Sequence, residues 1–234
     1  MTWAELRRRS RELVPELAEQ LREGTWQPDV VRSAGITTFA GKRLAAVIPT
    51  VRDRVVHRAL RNALEPILEN RVFVDWASGF RPGRSRITAV RQAAVHMAAG
   101  RLWVADLDVA TASEGATVDE VVDWVAEHVH DGTFLARLRT ALTGLPQPLT
   151  PGSGLSPLLL TLRLSRVDRE LHGLSVVRFA DDYCAFAHTR ESADAAFAVI
   201  RNALRRHGLS PNTAKSRVRA RGHANPEDLF LIGG

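Results

Sequence analysis

The chain has 234 residues, 45% of them hydrophobic and 25% charged, with a formal net charge of +6. This is the composition of a globular protein, long enough to bury a substantial core as one domain or a compact pair of subdomains. A single cysteine, Cys184, excludes a disulfide framework and a Cys-based zinc site, and no stretch approaches the ~18 apolar residues of a membrane span. The opening Met1-Thr2-Trp3-Ala4-Glu5 has no signal-peptide core, so a cytoplasmic setting without membrane contact is expected. The base is almost all arginine, Lys42 and Lys215 being the only lysines, and a guanidinium-rich surface suits phosphate recognition.

Trp3, Leu6, Leu13, Leu17 and Leu21 recur at helical spacing up to Gly24, which predicts an N-terminal helix over residues 1–24. Residues 30–34 and 44–48 read as strands of a hairpin turning through Ala40-Gly41-Lys42-Arg43 and closed by Pro49. From Arg52 to Asn70, Val55, Val56, Ala59, Leu60, Ala63, Leu64 and Ile67 mark an apolar helix face, with Arg52, Arg54, Arg58 and Arg61 on the other. A Gly/Pro loop, residues 78–86, carries Arg81, Arg84 and Arg86, and Ser85 can cap a helix over residues 87–99.

Leu102-Trp103-Val104-Ala105-Asp106-Leu107-Asp108 is a strand with an acidic end. Thr117-Val118-Asp119-Glu120 is a capping-box signature for a helix to His128, and a second helix covers residues 134–142. Prolines and glycines exclude regular structure from 145–154, after which Ser156-Pro157 starts a helix to Leu171. Next come two short apolar runs, residues 176–180 and 183–187, meeting at Asp181-Asp182, then a helix over residues 192–207 stopped by Gly208. Strands alternating with helices around an antiparallel hairpin favour an α+β fold, with an antiparallel sheet covered by helices on one face and open on the other.

The chemistry concentrates at two acidic strand ends, Asp108 and the Asp181-Asp182 tip. Adjacent aspartates at a hairpin tip can be ordinary turn residues. Carboxylates gathered from two neighbouring strands are different, because they cannot all ionise together without a counter-charge, which a divalent cation supplies.

At this point the residues resemble the reverse transcriptases of group II introns, retrons and their bacterial relatives. The resemblance is carried by Ile48-Pro49-Thr50-Val51-Arg52-Asp53-Arg54-Val55-Val56, Leu64-Glu65-Pro66-Ile67-Leu68-Glu69, Gly79-Phe80-Arg81-Pro82-Gly83-Arg84-Ser85 and Phe179-Ala180-Asp181-Asp182. Gly208-Leu209-Ser210-Pro211-Asn212 with Lys215, and Phe230-Leu231-Ile232-Gly233 as a primer grip, extend it over roughly residues 17–233. It implies a right-hand polymerase with fingers over residues 25–101 and a palm over 102–234. It implies as well two Mg²⁺ ions, for which Mn²⁺ can substitute, held by Asp108, the carbonyl of Val109, Asp181 and Asp182. Lys42 or Arg43 would face the triphosphate of a dNTP, with Ser113, Gly152 and Lys215 also at the nucleotide. Arg52, Arg81 and Arg84 would hold nucleic acid, the partners being an RNA template and a DNA or RNA primer.

The chain departs from the family pattern in several places. Ser113-Glu114 stands where the family has an aromatic residue and an acid, and Thr150-Pro151-Gly152 replaces Pro-Gln-Gly. One extra residue lies between Arg43 and Pro49, and no helical thumb follows Gly234, so a separate thumb or maturase partner is expected. Two alternatives to an RNA-directed DNA polymerase therefore stay open. One is a catalytically degenerate relative that binds nucleic acid; the other is a template-independent or RNA-synthesising nucleotidyltransferase on the same palm. Intron mobility, retron-type synthesis and antiviral defence are the settings the resemblance allows.

Overall fold

A computed structural model describes residues 3–37 and 43–220. By backbone contacts it divides into two units: residues 1–71 with 113–160, and residues 72–112 with 161–234. Each is built from separated stretches of chain, so this division cuts the sequence differently from a succession of residues 25–101 and 102–234.

In the first unit, helix α1 (Trp3–Glu23) packs on helix α2 (Val51–Arg71), which also meets helix α5 (Gly132–Thr143). Helix α4 (Val118–Ala126) packs on α5, and its Thr117-x-x-Glu120 capping box forms in both directions. Strands β1 (Arg32–Thr37) and β2 (Arg43–Ile48) make an antiparallel pair running from Arg32↔Ile48 to Thr37↔Arg43. The first strand lies further along than the expected residues 30–34, and Val30 is 92% exposed. The buried face of α2 is also rotated from the expected stripe. Asp53, Val56, His57, Leu60, Leu64 and Leu68 are buried, whereas Ala59 and Ala63 are exposed. Two alanines gain little by burial, and the inward face includes two polar residues that an apolar count passes over.

Those polar residues tie segments together. Asp53 accepts from Thr50 Oγ1 (2.8 Å) and from the Asp29 backbone N–H (3.1 Å), and burial pushes its carboxyl up. His57 Nδ1 lies 3.4 Å from Ser153 Oγ in the proline- and glycine-rich loop, and burial pushes the imidazole down to about 4, so it is neutral there at pH 7. The same loop is stitched to β2 by the Val47 N–H donating to the Pro151 carbonyl (2.8 Å).

The second unit is a mixed sheet in the order β3 (Ala77–Ser78), β5 (Val176–Phe179), β6 (Asp182–Ala187), β4 (Trp103–Ala110), β7 (Ser210–Pro211), with β8 (Arg217–Ala220) also on β4. Most pairs are antiparallel, but β3 runs parallel to β5, which corrects the expectation of a wholly antiparallel sheet. Helix α6 (Ser156–Asp168) begins in the first unit and ends in the second, and helix α7 (Arg190–Arg206) packs against β4, β6 and β8.

Helix cover is not confined to one sheet face, a second correction. Side chains alternate along β4 and β6, so Val104, Asp106 and Asp108 share a face with Asp182, Cys184 and Phe186. Helix α3 (Arg86–Ala98) covers the Val104 and Phe186 end of this face through Ala89 and Ala93. On the opposite face Tyr183 reaches α6, its hydroxyl 3.4 Å from the Leu164 carbonyl. An apolar cover over Val104 and Phe186 costs nothing in hydration, whereas covering the aspartates would, so the helix stops short of them.

Candidate active site

Asp108 on β4 and Asp182 on β6 are register partners directly opposite each other on one sheet face. Asp106, two residues earlier on that face, lies opposite Cys184 and is ion-paired with Arg219. Lys215 Nζ lies 3.7 Å from Asp108 Oδ2. The backbone of Asp108 is pinned by the segment after β7: Asn212 N–H donates to its carbonyl (2.7 Å), and its own N–H donates to Ser216 Oγ (3.2 Å).

Ala180 and Asp181 form a two-residue turn between β5 and β6. Ala180 has φ 53°, where glycine is the usual residue, so the turn is strained and must be held. Three bonds hold it: Ala180 N–H to the Ser78 carbonyl (2.9 Å), Arg178 Nη1–H to the Ala180 carbonyl (2.8 Å), and Val109 N–H to the Asp181 carbonyl (3.1 Å). Gly79 makes the first possible, since a Cβ there would stand 2.7 Å from Ala180 N. The non-glycine residues with positive φ among the described residues are Phe80, Thr111 and Ala180, all in this unit. Phe80 follows Gly79, and Thr111 follows the last residue of β4.

Under the turn, Arg178 and Asp168 form a fully buried ion pair (Nη2 to Oδ2 2.5 Å, Nε to Oδ1 3.0 Å), and Tyr183 Oη donates to Asp168 Oδ1 (2.8 Å). Burial, then the Asp168 charge, pushes the Tyr183 hydroxyl well above its ordinary range. Arg178 sits in an apolar strand, and a charged residue in such a run is rarely buried without a partner. That signal was present in the sequence; its answer, Asp168 near the end of α6, was not.

The remaining expected site residues are placed as follows. Val109 directs its N–H at the tip as described. Arg81 is buried: Nη1 donates to the carbonyls of Val74 (2.7 Å) and Ala77 (2.6 Å), and the guanidinium lies 5.1 Å from the Phe73 ring centroid. It braces its own loop, where a backbone contact to nucleic acid was expected. Arg84 is more open and pairs with the exposed Asp75 (2.6 Å). Arg52 bonds Gln20 of α1, Gly152 packs on β2, and Ser113 lies in the turn region before α4; all three belong to the first unit. Arg43 opens β2, while Lys42 and Phe230-Leu231-Ile232-Gly233 lie outside the described residues. Asp106, Arg219, Asp168 and Arg178 were not among the expected site residues.

Burial, then the charges of Asp181, Asp108 and Asp106, push the Asp182 carboxyl up to about 7, with Lys215 opposing. This donor set suits a hard cation, since the carboxylates repel one another while ionised and offer only oxygens. Among the described residues no group of three or more carboxylate, imidazole or thiolate side chains is placed to hold a metal ion by itself. Mg²⁺ does not require one, being bound typically through one or two carboxylates with water and substrate phosphates. The residues present therefore fit the ion.

A pH test follows. Because the fold raises the Asp182 carboxyl, its ionisation costs stability; the cost is absent below about 4, grows as pH rises to about 7, and is full above that. In metal-free buffer, denaturant titrations should find the wild-type protein less stable at pH 8 than at pH 5, relative to Asp182→Asn, by on the order of a few kcal/mol. Mg²⁺ should restore stability at pH 8 and do little at pH 5. A wild-type profile parallel to that of Asp182→Asn would remove this account.

The mixed α/β fold with opposed aspartates at one end of a sheet face agrees with the right-hand polymerase fold that a family match implies. The chain belongs to the reverse transcriptase family: the model described as "Reverse transcriptase (RNA-dependent DNA polymerase)" matches residues 37–224. It is 31% identical over 175 residues to the protein YkfC of Escherichia coli (strain K12), covering 67% of this chain and 44% of that protein. It is 37% identical over 83 residues to the group II intron-encoded protein LtrA of Lactococcus lactis subsp. cremoris, covering 35% of this chain and 14% of LtrA. It is 28% identical over 153 residues to an uncharacterized 91 kDa protein in the cob intron of Schizosaccharomyces pombe, covering 59% and 18%. The chain thus spans less than half the length of these curated relatives. Among the described residues, no helix is long and apolar enough to cross a membrane.

Proposed function

We propose that the chain is the catalytic core of an RNA-directed DNA polymerase, adding dNMPs to a primer 3′-hydroxyl on an RNA template. The observation that carries this reading is the opposition of Asp108 and Asp182 on one sheet face, beside the Asp181 turn, in a chain of this family. Asp108, Asp181 and Asp182, with the carbonyl of Val109, would hold two Mg²⁺ ions. When bound, such a pair activates the attacking hydroxyl and stabilises the leaving pyrophosphate. Lys215 offsets part of the carboxylate charge at Asp108, and the 212–216 segment fixes that strand end. Residues 25–101 would act as fingers and 102–234 as palm, with Lys42 or Arg43 and Gly152 on the nucleotide side and Arg52 and Arg84 on template backbone. A helical thumb, on the same polypeptide or on a partner, would add affinity, because backbone contacts carry much of nucleic-acid binding.

Purified protein with Mg²⁺, a primed RNA and dNTPs should extend the primer; failure with Mg²⁺ and Mn²⁺, and with a family thumb supplied in trans, would end this reading. Ser113, where the family has an aromatic residue, favours keeping RNA synthesis as a second reading. Paired dNTP and NTP assays separate the two. Ser113→Phe is expected to raise the dNTP-over-NTP preference about tenfold, the size of effect that one lost or gained steric contact at a sugar gives. An unchanged ratio would mean that Ser113 is not at the sugar.

A further inference from the structure

We propose that Asp168, Arg178 and Tyr183 form a positioning device that fixes the Ala180–Asp181 turn and keeps the ground beneath the carboxylates electrically neutral. The inference rests on the polymerase reading for its consequence and on this unit's geometry for its substance. Arg178 and Tyr183 are register partners on β5 and β6, on the sheet face opposite Asp182. The Arg178 guanidinium uses Nε and Nη2 on Asp168 and sends Nη1 to the carbonyl of Ala180, the residue before the first tip aspartate. Tyr183, two residues after Asp181, closes the network by donating to Asp168. One buried carboxylate near the end of α6 thus governs both strands of the hairpin.

Stability alone does not explain the arrangement. A buried ion pair replaced by apolar residues of similar size is commonly neutral or better for stability. Here the third arm of the arginine bonds a carbonyl in a strained turn, and strain persists only where surroundings over-determine it. The charge balance matters equally. An unpaired Arg178 under the tip would compete with any cation for the aspartates, and Asp168 cancels it.

The variant Asp168→Leu with Arg178→Met removes both charges, keeps the ground neutral and so isolates the hold on the turn. Asp168→Asn leaves Arg178 unpaired, and wild-type Mn²⁺ affinity in that variant would refute the charge balance. Tyr183→Phe removes only the hydroxyl. For the double variant we expect a urea midpoint near wild type and unchanged KM for primer-template. Turnover should fall about 100-fold, and Mn²⁺ binding by the nucleic-acid-free protein, read by electron paramagnetic resonance, should weaken about tenfold, as when groups behind metal ligands are removed. Tyr183→Phe should fold normally and lose several-fold in turnover and Mn²⁺ affinity, so it decides the matter should the double variant not fold. A folded variant with wild-type turnover and wild-type Mn²⁺ affinity overturns the proposal. A wild-type protein that binds Mn²⁺ but never extends a primer ends the polymerase reading alone, and the Mn²⁺ comparison still judges the positioning role. Loss of both in the wild type ends both.

Discussion

Asp108→Asn is expected to reduce primer extension by about 10³-fold or more while leaving the metal-free protein as stable as wild type or more so. The activity term follows from the proposed role: a carboxylate that holds an ion at the reacting phosphate contributes several kcal/mol of transition-state stabilisation, and each 1.4 kcal/mol or so is a factor of ten. The stability term has the opposite sign. Asp108 faces Asp182 and is one of the charges that push that carboxyl up, so removing it relieves repulsion. Its loss also frees Lys215, an ion pair 3.7 Å long on a partly exposed side chain, which is worth little. Loss of function with a gain in stability is what a site assembled against its own electrostatics should give. Extension within tenfold of wild type, or a clear fall in metal-free stability, would contradict the assignment.

Gly152→Ala is expected to destabilise the first unit by about 3 kcal/mol or more, summing overpacking, positive-φ strain and a weakened hydrogen bond. Gly152 has φ +99°, and a Cβ would come 2.1 Å from the Val47 carbonyl oxygen, which is backbone and cannot swing aside. The shift this forces also strains the Val47 N–H to Pro151 bond that stitches the loop to β2. A nucleotide-side role was expected of Gly152 by resemblance, and the packing supplies a separate reason for glycine there. Gly35→Ala in β1 is the control, because a Cβ at Gly35 meets nothing within 4 Å, and it should be neutral or stabilise by up to about 1 kcal/mol. Equal urea midpoints for the two variants would refute the clash.

Much of the element order was legible because it rests on local rules. Thr117 and Glu120 cap α4, the 145–154 loop is irregular where proline and glycine demand it, and the two apolar runs flank a tight turn, which falls at Ala180–Asp181, one residue before the expected Asp181-Asp182 tip. The strands β3, β7 and β8 were not read as strands. Two residues such as Ala77–Ser78 carry no period, and Arg217–Ala220 reads as a charged run until pairing with β4 makes it a strand. For Arg81 the resemblance implies a contact with nucleic acid, while its partners within the chain are carbonyls that no residue pattern displays.

The amino-acid sequence by itself determined the family, the order of the helices with the caps of α3 and α4, and the two acidic strand segments, because period, capping and motif spacing are properties of neighbouring residues. The tertiary structure alone decided which carboxylates share a face, that Asp106 joins Asp108 and Asp182 there, and that Asp168 answers the buried charge of Arg178. Those facts depend on register between strands far apart in the chain and on burial, which sets the price of each charge only once the sheet has closed around it.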